Sequence, residues 1–267
     1  MPIEAIVANS QLFLLVFARI FALLQVAPLL SSSAVPSLAR VGFCLFVAAI
    51  VFPWVLDAGY PIPDTAGAYF LLLLGEALVG ILLGFVLSII YSTFLVAGQF
   101  FSFQMGFGAS QVFDPLAQIQ IPLIGQFLNI VAMFILVSTG GFRRILLVGV
   151  LRSFERIRPY DLIAMNQGIA DTLVRTLGGL FEQAMVISFP ILGTLLLISV
   201  GMGLLAKAAP QMNLLMLGFP IKIGVAFVVL LLAIPFLMEL FAGLIDSSFD
   251  LVLTLIDDAA AGAGGVR

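Results

Sequence analysis

Four carboxylates stand near the C-terminal end of the chain, Glu239, Asp246, Asp250 and Asp257, at steps of 7, 4 and 7 residues. On a helix turning 100° per residue, all four fall within about 20° of one line. Their neighbours are largely Leu, Phe, Ile and Val. The stripe therefore cannot face hydrocarbon, and it must meet water, a pore lumen or a basic partner surface. Three more charges, Arg19, Glu76 and Glu182, are set inside apolar runs. A charge at the bilayer centre costs on the order of 3 kcal/mol, so each needs an opposite charge or water. Two chemistries fit: ion or proton carriage through Glu76 or Glu239, or a structural Arg–Glu pair.

Most enzymatic chemistry has no residues to carry it. Histidine is absent and Cys44 is the sole cysteine. A Ser-His-Asp or Cys-His nucleophile, a His-ligated metal or haem, and an intramolecular disulfide are all excluded. Ser110 and the acids could be imagined as an intramembrane active site, but no convincing Ser–Lys pair accompanies them. Cys44 reads as a small buried hydrophobe. The formal net charge of −3 gives no reason to invoke nucleic acid, and no cofactor is implied.

The residues best suited to moving rather than reacting lie in the stretch 97–122, AGQFFSFQMGFGASQVFDPLAQIQIP. Phe100, Phe101, Phe103, Phe107, Phe113 and Met105 alternate there with Gly98, Gly106 and Gly108. Glycine permits tight turns, whereas phenylalanine and methionine give bulky or adaptable apolar contacts. Asp114-Pro115 then turns the chain away from helical geometry. Gln104, Met105, Gly106, Phe107, Gly108, Phe113, Asp114 and Pro115 are thus the candidate gate. A loop of this composition serves either as a movable seal or as plain packing inside its own bundle.

A second candidate is the stretch 207–222, KAAPQMNLLMLGFPIK. Pro210 and Pro220 are expected to break the flanking helices and make it a hairpin tip. It carries Lys207, Gln211, Met212, Asn213, Phe219 and Lys222. As an ordinary turn, its lysines would reach lipid headgroups. Gly80 and Gly84 form a G-x-x-x-G step with Gly75 nearby, a spacing that lets two membrane helices approach closely.

These residues must be positioned by a membrane bundle. Of the 267 residues 63% are hydrophobic and only 9% charged, and the mean hydropathy is +1.26. Soluble proteins carry about 25% charged residues. Six apolar segments are expected, near 12–30, 41–56, 66–97, 123–137, 177–206 and 223–256. The third would be about 48 Å long against a hydrocarbon core of about 30 Å, so it tilts steeply or leaves the bilayer. Between the fourth and fifth lies a polar region with Arg143, Arg144, Arg152, Arg156, Arg158 and Arg175, in which ILLVGVLRSFERI reads as a short amphipathic helix. The N-terminus lacks the basic region of a secretory signal, so the first segment is expected to be retained. With six crossings both termini and the arginine-rich region share one side, cytoplasmic by the positive-inside rule. The expectation is an all-α polytopic membrane protein with one helical domain over 1–267 and a flexible tail over 257–267. Alternating segments of a barrel are missing.

Several stretches, taken in order, resemble one family. They are FARI at 17–20, VPSLAR at 35–40, GEALVGILLG at 75–84, AGQFFSFQMGFG at 97–108, Asp114-Pro115, and KAAPQMN with GFPIKI across 207–223. The set is similar to the FliR family of flagellar export-gate proteins and its counterpart in type III secretion. The arginine-rich middle matches no feature of that family. The resemblance implies kinked helical hairpins within a hetero-oligomeric, cone-shaped channel that passes unfolded flagellar proteins. It implies FliP-like and FliQ-like partner subunits, an FlhB-like subunit at the entrance, contact with membrane lipid, and no catalysis. It implies an inner-membrane location within the flagellar basal body, a plug role for 104–115, and a place near the channel entrance for 207–222. The competing reading is a stand-alone secondary transporter or ion channel with Arg19, Glu76 or Glu239 in its path. The lack of an internal repeat weighs against it.

Overall fold

Long runs of Leu, Ile, Val, Phe and Ala must satisfy their own backbone inside a bilayer, and the helix does so within one segment. The computed structural model describes residues 3–28, 30–31, 35–63, 65–106, 123–157, 159, 166–209, 211 and 214–264, and among them there is no strand. The helices are α1 (Ile3–Val26), α2 (Ser37–Asp57), α3 (Ala66–Met105), α4 (Leu123–Ser138), α5 (Gly141–Arg156), α6 (Asn166–Ala208) and α7 (Leu214–Gly264). The middle of α5, Ile145–Arg152, is π-helical. Among the described residues, five helices are long and apolar enough to cross a membrane, and up to six spans result if the bent pair α4–α5 counts as one. The chain is a polytopic all-α membrane protein.

Turn chemistry sets the breaks. Pro36 precedes α2, where its missing N–H costs nothing, and Gly59 ends the following turn at φ 68°. Gly140, at φ 71°, separates α4 from α5.

Four boundaries differ from expectation. Helix α3 runs on to Met105, so 97–105 is helix rather than loop. Gly98 does not break it, because there the glycine serves close approach rather than a turn. Helix α7 begins at Leu214 and contains Pro220 and Pro235, so Pro220 breaks nothing. Proline is tolerated in membrane helices because neighbouring groups satisfy the freed carbonyl. The segment 257–264 is also helical rather than a loose tail, in keeping with the helix propensity of its alanines. Helix α6 starts at Asn166, ahead of the purely apolar run.

Two compact units share these helices. The first comprises Met1–Ile90, Gly140–Thr176 and Ile245–Arg267. Its core includes Leu15, Val16, Ile20 and Leu23 of α1, Cys44 and Ala48 of α2, and Val79 and Leu83 of α3. Gly80 and Gly84 lie against the α1 backbone. A Cβ on Gly84 would come within 2.7 Å of the Leu23 carbonyl oxygen, and one on Gly80 would strike that of Arg19. The glycine step therefore receives α1. Gly75 faces Pro159 instead. Arg40 donates to Gln25 Oε1 at 2.6 Å, and Tyr69 donates to the Gln11 carbonyl at 2.9 Å.

The second unit comprises Tyr91–Thr139 and Leu177–Leu244. Its core gathers Phe94, Ala97 and Phe101 of α3, Leu128 and Ala132 of α4, Ala184, Ile187 and Leu195 of α6, and Phe241 of α7. Phe94 and Phe241 pack with ring centroids 4.1 Å apart. The outer faces of α6 and α7 are apolar, with Phe189 71% and Leu232 77% exposed, as lipid or subunit contact requires.

Candidate functional site

The candidate gate is flanked by a neck of bare backbone in the second unit. Where α3 passes α4, Gly98 abuts Gly125 so closely that a Cβ on Gly98 would collide with the Gly125 main chain. Only glycine at position 98 permits this approach. One hydrogen bond between the two helices supports it: Tyr91 donates to the Asn129 carbonyl at 2.8 Å. Helices α3 and α4 are thus pressed together at Gly98 and Gly125.

Helix α3 ends at Gly106, whose φ of 92° is open to glycine and rare for other residues. Its N–H donates to the Phe103 carbonyl at 3.1 Å. Met105 is buried, Gln104 is half-buried and Phe103 is exposed. The ring of Phe219 lies over Gly106, in the space a Cβ would need. Phe107, Gly108, Phe113, Asp114 and Pro115 lie outside the described residues.

At the hairpin, Lys207 is exposed in the last turn of α6, Gln211 is exposed in the turn, and Pro220 is exposed within α7. Phe219 and Lys222 are half-buried. Pro210, Met212 and Asn213 lie outside the described residues. A cavity of about 330 Å³ lies between Ser199, Met202, Gly203 and Ala206 of α6 and Gly218, Phe219 and Lys222 of α7.

The charges sort into two kinds. In the first unit, Arg19 and Glu76 are both fully buried and form an ion pair. Arg19 also donates to Ser153 Oγ at 3.3 Å and to the Ile157 carbonyl at 3.0 Å, and its guanidinium lies 4.0 Å from the Phe154 ring centroid. The other oxygen of Glu76 accepts from the Tyr60 hydroxyl. Glu76 is thus enclosed by its own chain and faces no lumen. Glu239, Asp246, Asp250 and Asp257 are all exposed along α7, as their spacing predicts, and so is Glu182. Asp246 pairs with Arg144, whose guanidinium sits 5.7 Å from the Phe249 ring centroid. Among the described residues, no three His, Cys, Asp or Glu side chains could hold a metal ion together.

Sequence reading missed Tyr60, Ser153, Phe154, Gly125 and the seat of Phe219. The arginine-rich region, left without a role, supplies Ser153, Phe154 and Ile157 to Arg19 and Arg144 to Asp246. The one available signal was the number of acceptors that a buried guanidinium demands.

The fold and this distribution of side chains define a polytopic helical membrane protein with broad apolar outer faces. The chain belongs to the family of bacterial export proteins, family 1, whose model matches residues 10–248. It is similar to the flagellar biosynthetic protein FliR of Bacillus subtilis, at 35% identity over 222 residues, covering 82% of this chain and 84% of that protein. The FliR of Borreliella burgdorferi is 31% identical over 250 residues, covering 92% and 90%. The FliR of Escherichia coli is 22% identical over 240 residues, covering 90% of each. The resemblance carried by the ordered motifs agrees with these findings.

Proposed function

We propose that this chain is a non-catalytic, channel-forming subunit of the flagellar protein-export gate in the bacterial inner membrane, within the basal body. It works beside FliP-like and FliQ-like subunits, with an FlhB-like subunit at the entrance. The observation that carries this reading is the Gly98–Gly125 neck, capped by Phe219 on Gly106. Such an arrangement brings together by backbone proximity the two helices between which an aromatic, glycine-rich segment lies in the sequence. An export gate must stop ions when idle and still pass chains of any sequence. Phe and Met exclude water without requiring particular hydrogen bonds, so a seal made from them is sequence-tolerant.

The similarity to flagellar FliR proteins supports the export role, and the exposed apolar faces of α6 and α7 support assembly with other membrane subunits. The exposed stripe of Glu239, Asp250 and Asp257 gives a polar surface toward a lumen or a basic partner. The transporter alternative loses Glu76 as a carrier, since its carboxylate is fully buried and engaged by Arg19 and Tyr60.

Deleting 106–112 from the full chain should leave the complex assembled and make it leaky to ions. Unchanged ion permeability in a fully assembled deletion complex would contradict the gate assignment.

A further inference from the structure

We propose that the groove between α6 and α7 holds an anionic phospholipid, its phosphate on Lys222 and Lys207 and its acyl chains along the apolar walls. The site goes beyond the gate reading and does not depend on it, since it needs neither a conduit nor a moving segment.

The groove is opened by glycine. Gly203 of α6 and Gly218 of α7 both line it, and a Cβ on Gly203 would meet nothing within 4 Å. Its volume of about 330 Å³ falls in the range of about 300–1,000 Å³ that small-molecule sites occupy. Met202 and Phe219 make the walls apolar, and the hydroxyl of Ser199 already donates to the Leu195 carbonyl at 2.8 Å. Lys222 is therefore the lining side chain with charge to offer. It is half-buried, and among the described residues no carboxylate pairs with it.

Helix geometry brings a second cation to the same place. Side chains lean toward the N-terminus of their own helix, over the residue four positions back. For Lys222 that residue is Gly218, and for Lys207 it is Gly203, so neither lysine meets a side chain there. No acid offsets the pair. Between Glu182 and Glu239 the chain has no Asp, Glu or Arg, and its only charges are these two lysines. Glu182 stands 25 residues, about 38 Å, from Lys207 along α6, and Glu239 stands 17 residues, about 26 Å, from Lys222 along α7. These intervals bracket the hydrocarbon thickness of about 30 Å, and exposed Leu196, Leu197, Val228 and Leu231 occupy them. The lysines thus fall at one headgroup level above an apolar surface. A lipid phosphate brings the negative charge that the groove lacks, together with the apolar tails that its walls accept. Free phosphate would bring only the charge.

The test uses the full-length chain purified with its accompanying subunits and stripped of lipid in detergent. It is titrated with dioleoyl phosphatidylglycerol or dioleoyl phosphatidylcholine, which differ in headgroup charge alone, and bound lipid is read by native mass spectrometry. A lysine near an anionic membrane surface is worth a factor of about five. With two lysines, phosphatidylglycerol should bind at least about tenfold more tightly than phosphatidylcholine, and Lys222→Gln should cut that preference about fivefold. Gly203→Leu keeps both lysines but fills the groove from an exposed helical position that the fold tolerates, and it should abolish phosphatidylglycerol retention. Inorganic phosphate at equal concentration should not displace the lipid.

Equal binding of the two lipids overturns the proposal. So does an unchanged preference in Gly203→Leu, which would mean attraction to surface charge without a site. Displacement by inorganic phosphate reduces the groove to a plain anion site and removes the lipid. An accompanying subunit that cross-links to Lys222 and keeps both lipids out gives the groove to that subunit and overturns the proposal as well. Should Lys222→Gln fail to fold, Gly203→Leu decides alone.

Discussion

Helix α3 carries two sites built by opposite means. At Glu76 the chain encloses two full charges and engages them with Tyr60, Ser153, Ile157 and the face of Phe154. At Gly98 it removes side chains altogether and lets backbone meet backbone. A buried ion pair fixes geometry, because parting the charges leaves each one desolvated and alone. A glycine contact gives proximity with nothing to unlock. The first is a fixed joint; the second is a close contact of bare backbone.

The contrast is broken most severely at the joint. Arg19→Ala strands the Glu76 carboxylate in a dry core and should cost about 3–5 kcal/mol. The expected outcome is a sharp fall in protease-resistant chain recovered from membranes. Arg19→Met combined with Glu76→Leu should restore part of it, since no uncompensated charge remains.

At the neck, Gly98→Ala forces α3 and α4 apart. Overpacking of this kind costs about 1–3 kcal/mol. Raised ion conductance in assembled complexes, with a modest loss of thermal stability, is the expected reading.

About two turns beyond the neck, Gly106→Ala places a side chain at φ 92° and displaces Phe219. The left-handed backbone alone costs about 1–2 kcal/mol. A thermal-unfolding shift smaller than that of Arg19→Ala, together with a leak, would group the residue with the bare-backbone contact.

The surface pair marks the lower bound. Arg144 and Asp246 are 42% and 56% exposed, so solvent screens them. Arg144→Ala should change stability by less than about 1 kcal/mol, and the difference should shrink as salt is raised. A large, salt-independent loss would mean that this pair is a second fixed joint.

Much of the architecture was legible because uninterrupted apolar runs leave few alternatives to a membrane helix, and the 7, 4 and 7 spacing of the α7 acids put them on one exposed face. Helix ends were not legible where one residue has two uses. Gly98 reads as a flexible point but serves close packing, and Pro220 reads as a break yet sits inside α7. The need of Arg19 and Glu76 for partners followed from the cost of buried charge. The partners themselves did not, because Ser153 and Ile157 lie 134 and 138 residues from Arg19 and periodicity carries no information over such distances. The seat of Phe219 escaped for the same reason, since its contact with Gly106 exists only after two distant helices meet.

The most direct test of the proposed shared conduit is to purify the tagged full-length chain gently and reconstitute it in vesicles, with and without the membrane subunits that accompany it. The account predicts that the chain is recovered bound to other small membrane proteins and that, alone, it carries no solute. A stable solitary monomer that transports a small solute across the vesicle membrane would contradict it.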